Sequence, residues 1–320
     1  MAKSFVGIDV SKNTLDVHVL PAGVSKKLPN TPAGHQALVE WLTPFAADGL
    51  RAGLESTGGL ELPAALALEA AGFEVAIIRP ERVRYFAKAE GQRAKTDAID
   101  AAVLARFVAT VAVEIHPLPP EEIRSFRDLL DRRGQLIEMR TMESNRLAST
   151  QHKPAVRSIE KHLKWLDNAI RDVEQSLDAR IAANPKWKQL DAIVQSVPGV
   201  GPQTARTLIG QLPELGHVSH KRIAHLVGLA PMNADSGLTE APRHIVGGRQ
   251  QVRNVLYMAA IAALKHNPIA TVRYAALRGQ GKAAKVAIIA IARKLLATLN
   301  AMVRDQTPWR HLTVAKENCT

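Results

Sequence analysis

Cysteine is almost missing from this chain of 320 residues: the single one, Cys319, lies one residue from the C-terminus. Without a second thiol there is no intramolecular disulfide and no cysteine-built zinc site. Aromatic residues are scarce at 4%. That argues against recognition of single strands by base stacking. Long apolar runs are also lacking; the longest, such as VLYMAAIAAL (255–264), reach about half a membrane span. The opening stretch MAKSFVGIDVSK is too short and too charged for a secretory signal. A cytoplasmic protein with no membrane partner is expected.

The fourth scarcity is acid in the last third. Residues 1–118 hold 12 basic and 13 acidic side chains, residues 119–188 hold 14 and 11, and residues 189–320 hold 16 and 6. Between Ala241 and Arg304 there are 11 Lys and Arg and no Asp or Glu at all. Such a stretch repels itself unless a polyanion lies against it. With a net charge of +12 and 46% apolar residues, the chain is a globular protein whose anionic partner is nucleic acid before membrane.

Three regions follow from the patterning. In residues 1–118, KSFVGIDV, TLDVHVLP and SKKLPN read as three successive strands. TPAG then opens an amphipathic helix through Leu38, Val39, Trp41 and Leu42. RAGLEST is a strand ending in the turn Gly58–Gly59, FEVAIIRP a further strand, and helices run to about 110. This predicts a mixed sheet with helices on its faces. In residues 119–188 a helix over about 120–148 precedes Pro154. Beyond it apolar residues recur at 156, 159, 163, 166, 170, 173, 177 and 181, the spacing of a coiled-coil seam or a long hairpin. It packs either on its own domain or on another copy of the chain.

Residues 189–320 begin with SVPGVGPQTARTLIG, where Gly199 and Gly201 flank a tight turn ahead of a helix. Glycines there let backbone N–H groups approach a phosphate at a helix N-terminus. The pattern is that of a helix-hairpin-helix, and it is also an ordinary helix connector. Next come a Gly/Pro/Asn-rich loop, LVGLAPMNADSGL, and a glycine-led helix with Arg249 and Arg253 in its first turns. Cations at a helix start oppose its dipole, so an anion is expected beside them. Arg243, Lys282 and Lys285 are further candidate phosphate contacts, each equally readable as a solvated cation.

The acids of the first region form the other candidate site. Asp9 sits inside an apolar strand, Glu55 ends a later one, and Asp97 and Asp100 lie three apart in AKTDAIDA, on one face of a helix. A solvated helix face, or a capped helix start, would account for the last two alone. An acid within an apolar strand is costly unless exposed, paired or bound to a metal. Together the four give the acidic layout of the RNase H-like fold in its RuvC form. Four hard oxygen donors suit one or two Mg2+ ions, with Mn2+ able to substitute.

GIDVSK, LEST, KTDAIDA, the helical arm, VPGVG, GLAPMNADSG and GGRQQVRNVLYMAAIAALKHNP occur in this order along almost the whole chain. In them the sequence resembles the insertion-sequence transposases with a DEDD motif and a C-terminal catalytic serine, related to pilin-gene DNA invertases and including bridge-RNA-guided recombinases. The resemblance implies an α/β RuvC-like domain over 1–118, a helical coiled-coil arm over 119–188 and a mainly α transposase domain over 189–320. It assigns Asp9, Glu55, Asp97 and Asp100 to a metal-binding tetrad and Ser236 to the nucleophile. It further implies double-stranded donor and target DNA, a guide RNA encoded by the element, and a dimer or tetramer joined through the arm. One departure is Glu240, where a more basic run is expected. Two other readings stay open: a hydrolytic RuvC-like nuclease with Ser236 structural, and a non-catalytic nucleic-acid binder.

Overall fold

The computed structural model describes residues 3–91, 97–232 and 244–310, with residues 97–99 described in backbone only. Ser236 and Arg243 therefore lie outside the described residues. The chain divides into two compact units, Met1–Pro119 and Pro120–Thr320.

The first unit is built on a five-stranded mixed sheet of order β3-β2-β1-β4-β5. Strands β1 (Ser4–Val10), β2 (Thr14–Leu20) and β3 (Val24–Pro29) form an antiparallel meander; β4 (Leu50–Glu55) and β5 (Glu74–Ile78) run parallel to β1. Helix α1 (Pro32–Leu42) links β3 to β4 and α2 (Leu62–Ala70) links β4 to β5. Thr31 caps α1 by accepting from Gly34 N at 3.2 Å, with Pro32 in the first turn where its missing N–H costs nothing. One face of the sheet buries Val6, Ile8, Leu15, Val17, Val19 and Leu54 against Leu38, Leu42, Ala64, Ala65 and Leu68 of these two helices.

The opposite face carries the intervening residues, since successive strand side chains alternate. It is covered by α4 (Asp97–Thr110), with α3 (Pro80–Ala89) alongside. Ala76, Ile78, Val83, Leu104, Phe107 and Val108 close that layer. The cover is close because β1 and β4 present Gly7 and Gly53, paired across the strands. A Cβ on Gly7 would stand 2.0 Å from the Ala101 carbonyl oxygen and 2.3 Å from the Ala105 nitrogen. On Gly53 it would stand 2.3 Å from Val108 Cγ2. The helix backbone rests where two side chains are missing.

The second unit is helical. Helices α5 (Glu121–Ser149) and α6 (Lys153–Ala183) form a long antiparallel hairpin, with Pro154 in the first turn of α6. Arg133 donates to Glu174 at 2.7 Å and Arg180 to Ser125 at 2.6 Å across it. The apolar repeat read from the sequence faces α5 at Leu166, Leu177 and Ile181, which are buried. Beyond lie α7 (Pro185–Gln195), α8 (Pro202–Gln211), α9 (His220–Val227), α10 (Gln250–His266), α11 (Pro268–Gly279) and α12 (Ala284–Arg304), with a two-stranded ribbon β6–β7 (Pro231–Met232 and His244–Ile245). Arg206, itself buried, ties α8 to α6 through three short bonds to Asp178, at 2.9, 2.7 and 2.7 Å.

Among the described residues α12 is one helix long and apolar enough to cross a membrane. Counting uninterrupted apolar runs hides it, because Arg293 and Lys294 divide it. Half of its apolar stretch is buried within the unit: Ile291, Ala292, Leu295, Leu296, Leu299 and Val303 pack into the main cluster of this unit. Asn300 on the same helix accepts from Gly216 N at 2.8 Å and donates to Val218 O at 2.9 Å, which fastens α12 to the turn after α8.

Candidate active site

Asp9 lies on the α4 face of β1, one position beyond Ile8, which pairs with Leu54; Glu55 is the corresponding next residue of β4. Parallel register thus sets the two carboxylates side by side at the C-terminal ends of neighbouring strands, where open α/β sheets present their sites. Both are half-buried. Asp97 is the first residue of α4, and Asp100 immediately precedes Ala101, whose carbonyl rests over Gly7. Ala101 also lines a small cavity of about 150 Å³ with Asp16, Val17, Lys26 and Lys27. The start of α4 therefore lies over the β1–β2 end of the sheet, the end that carries Asp9.

Two side chains here escape sequence reasoning. Asp16 stands directly across from Asp9 in the antiparallel register and pairs with Lys27 at 3.0 Å. The Ser11–Thr14 turn sets that register: Ser11 N donates to Thr14 O at 2.9 Å and Thr14 N to Ser11 Oγ at 2.9 Å. A strict count across the turn would have found it. Glu61 is 6% exposed and accepts from Thr57 N, Thr57 Oγ1 and Gly59 N at 3.1, 3.1 and 2.9 Å. It gathers the loop that follows Glu55, whose Gly58 and Gly59 hold φ of +74° and +102°, and so fixes the end of β4. On the same face His18 bonds Ser25 Oγ at 2.8 Å. Burial and the nearby Arg106 charge hold its pKa below the usual histidine value, so it is neutral near pH 7.

The donor set fits a hard divalent cation: carboxylate oxygens with neither thiol nor imidazole among the four. Among the described residues no three His, Cys, Asp or Glu side chains close around a common point; the Asp97 side chain is outside that set.

In the second unit, Gly199 (φ +93°) comes so close to α10 that a Cβ would meet the Ala263 nitrogen at 2.5 Å. Its glycine is thus required by packing as well as by the turn. Gly201 caps α8 in extended conformation with open space around it. The anion expected beside Arg249 is Glu214: its carboxylate accepts from Nη1 at 2.5 Å and Nη2 at 2.6 Å, and Nη1 also reaches Gln211 O at 2.9 Å. Arg253 donates to the Gly247 carbonyl. Lys282 and Lys285 are exposed.

The described residues on either side of 233–243, the stretch that contains Ser236 and Arg243, form a narrow neck. Pro231 pairs with Ile245 and Met232 with His244. Just behind, Gly228 and Gly248 (φ +76° and +74°) let two backbones cross, with Gly247 O only 2.2 Å from where a Gly228 Cβ would be. The Arg249–Glu214 pair anchors the same neck. Burial raises the Glu214 pKa, but the Arg249 hydrogen bond, a backbone bond and the Arg249 and Arg127 charges outweigh it, leaving it below the usual glutamate value. A carboxylate depressed on folding contributes stability that is complete above its unfolded pKa and is lost as pH falls through the folded one. Glu214→Gln is therefore expected to lower the melting temperature at pH 7 by a few degrees, and the difference from wild type should shrink as the pH is lowered through 4. Melting curves across pH check this; a constant difference would separate the loss from the charge.

Comparison with known proteins decides what this arrangement belongs to. Residues 6–151 match a DEDD transposase model of the IS110 type, described as Transposase. Residues 191–275 match the Transposase IS116/IS110/IS902 family. The chain carries IS110/IS116-family transposase domains. Its relatives agree. The Pilin gene-inverting proteins of Moraxella bovis and Moraxella lacunata are each 27% identical over 321 residues, covering 97% of this chain and 98% of the relative. The Insertion element IS110 uncharacterized 43.6 kDa protein of Streptomyces coelicolor is 32% identical over 146 residues, 43% of this chain and 35% of that one. The chain is thus a DNA transposase or recombinase, an enzyme that acts on DNA. Transposases of the DEDD family generally use divalent metal ions, a chemistry that carboxylates such as Asp9 and Glu55 suit.

Proposed function

We propose that this transposase cuts and rejoins the DNA of an insertion sequence through a covalent phosphoserine, with Ser236 as nucleophile and Asp9, Glu55, Asp97 and Asp100 as a tetrad holding Mg2+ or Mn2+. The observation that carries the reading is the glycine seat under α4. It sets the start of that helix, with Asp97 and Asp100, over the sheet end where Asp9 and Glu55 stand side by side. In this reading 1–118 is a RuvC-like domain, 119–188 an arm and 189–320 the transposase domain proper.

Ser236 Oγ attacks the scissile phosphorus; the Oγ–P bond forms, one P–O bond of the strand breaks, and the serine proton ends on the departing oxygen. A hydroxyl of a second strand then attacks the phosphoserine, re-forming a phosphodiester and returning the serine. The phosphoester keeps the energy of the broken bond, so no external energy source is needed. When bound, the metal activates the attacking oxygen and neutralises charge on the phosphate. Asp235 lies beside the serine in sequence as a candidate proton acceptor. The Gly199–Gly201 turn, Arg243, Arg253, Lys282 and Lys285 hold backbone phosphates, and Arg249, through Glu214, braces the neck. The names of the Moraxella relatives support inversion as one outcome. A guide RNA from the element, as the family resemblance implies, supplies sequence, and the shortage of aromatics is compatible with that. Met142 and Trp165 of the arm hairpin are 50% and 54% exposed; burying them against another copy gives the dimer or tetramer its contact.

The test is mass spectrometry of the Ser236 peptide. The protein is expressed with its native flanking DNA and transcribed flanks, trapped by denaturation and digested. A nucleotide adduct on Ser236 that disappears in Asp97→Ala is expected. Nicked DNA without an adduct would replace the serine intermediate by water.

A further inference from the structure

A groove of about 1000 Å³ opens between α10 and α12, with α11 at one end and the β6–β7 neck at its mouth. Helix periodicity builds it. On α12 the residues that line it fall four apart, Lys285, Ile289 and Arg293, beside Val286, Ala290 and Lys294; the other side of that helix is in the core. Helix α10 contributes Arg253 and Asn254, then Tyr257 and Met258 one turn on. Residues four apart share a helix face, so two parallel-sided walls result.

The lining is of two kinds. Around it stand Arg253, Arg273, Lys285, Arg293 and Lys294, with His220 and His244, and among the described residues no Asp or Glu lines it. Among the described residues none of these five cations is in an ion pair, whereas Arg249 nearby has Glu214. Five cations around one concavity, with no described carboxylate among them, repel one another and concentrate an anion. Between them, Tyr257, Met258, Val286 and Ile289 make an apolar floor, with Met258 61% and Val286 55% exposed. A clamp for duplex phosphates needs cations and backbone N–H groups but no such floor. Unpaired nucleic acid presents what matches both parts, flat apolar bases alternating with phosphates.

We infer that this groove holds an unpaired stretch of the strand being processed, one base resting on Tyr257 and Met258 and its flanking phosphates on Lys285, Arg293 and Arg253. This rests on the serine-transposase reading, which puts the reacting phosphate at the 233–243 segment. A strand opened at a cleavage point would lead from that segment into the groove whose mouth its neck borders. The chain-wide scarcity of aromatics points away from base stacking on single strands, and Tyr257 in this groove is the local exception, enough for one base.

The test uses the full chain and a fluorescein-labelled oligothymidylate of about 12 nucleotides, within the usual range of single-strand site sizes. The same oligonucleotide annealed to its complement serves as duplex. Anisotropy titrations are run over a series of salt concentrations. Tyr257→Ala should weaken single-strand binding about tenfold, the order expected for loss of one stacked base, and leave duplex binding within about twofold. Met258→Glu, at an exposed position that folding tolerates, should do the same by putting a carboxylate on the floor. Lys285→Ala and Arg293→Ala should each reduce the salt slope by about one. An oligothymidylate carrying one 5-iodouracil should photocrosslink to the α10 or α12 peptides.

Equal weakening of both ligands by Met258→Glu would make the groove a phosphate clamp and overturn the inference. So would crosslinks confined elsewhere. Loss of a concentration-dependent increase in sedimentation mass in Met258→Glu, with strand binding unchanged, would make the groove a contact between copies of the chain. Crosslinks in the groove with no adduct on Ser236 in the native-DNA experiment would retain the groove and remove the serine reading. An adduct with no crosslink would do the reverse.

Discussion

Asp9→Asn and Glu55→Gln are each expected to lower DNA strand cleavage by ~10³-fold or more, the order lost when one electrostatic partner of a reacting phosphoryl or acyl group is removed. The melting temperature should stay within a few degrees of wild type. Both replacements keep the volume of the side chain, and both positions are half-buried ends of paired strands, so packing on α4 is unchanged. What changes is charge. A carboxylate set to face a reacting phosphate matters to the reaction far more than to the packing around it. Activity therefore falls while stability holds, the signature of a residue placed for chemistry. Gel assays on an end of the native element, together with thermal melts of the same samples, check it. A variant that cleaves normally would leave its carboxylate outside the reaction, and one that loses activity and stability in proportion would make it structural.

The fold of the first unit was legible because its signals are local. Alternating apolar residues mark β1, β2 and β4, and the Pro32 start and Gly58–Gly59 turn mark boundaries, each observed within a residue or two of its predicted place. The pairing of Asp9 with Glu55 was legible only in outline, since it depends on a parallel register that no neighbouring residues encode. Gly7 and Gly53 are the better clue in hindsight. Each looks like an unremarkable small residue in a strand, and only the close approach of α4 explains it. The cationic helix start at Arg249 was read as awaiting an external anion, but its anion, Glu214, lies 35 residues earlier. A contact between distant positions leaves no trace in spacing. The groove between α10 and α12 was visible only as a stretch without acids; which cations share a concavity, and that it has an apolar floor, follows from helix packing alone.

The glycine seat makes the second large effect. Gly7→Ala is expected to destabilise the first unit by about 1–3 kcal/mol, the usual cost of overpacking, and to reduce strand cleavage by ~10²-fold, as misplacing reacting groups by about 1 Å does. The added carbon would meet Ala101 O at 2.0 Å, Ala105 N at 2.3 Å and Leu104 C at 2.9 Å. All three are backbone atoms of α4, so no rotamer change makes room. The helix itself has to rise, and Asp97 and Asp100 rise with it while Asp9 and Glu55 stay in the sheet. Gly53→Ala is the matched control. Its carbon would meet the tips of Val108 and Ile78, at 2.3 and 3.0 Å, and those side chains can turn aside. It should lose less of both quantities. Thermal melts give the first quantity, falling by about 4–8 °C per kcal/mol in a unit of this size, and cleavage of native-end DNA well below the melting temperature gives the second. If Gly7→Ala cleaves like wild type while melting lower, the position of α4 matters to folding but not to reaction, and the two helix carboxylates would then have to act from somewhere other than the sheet end beneath them.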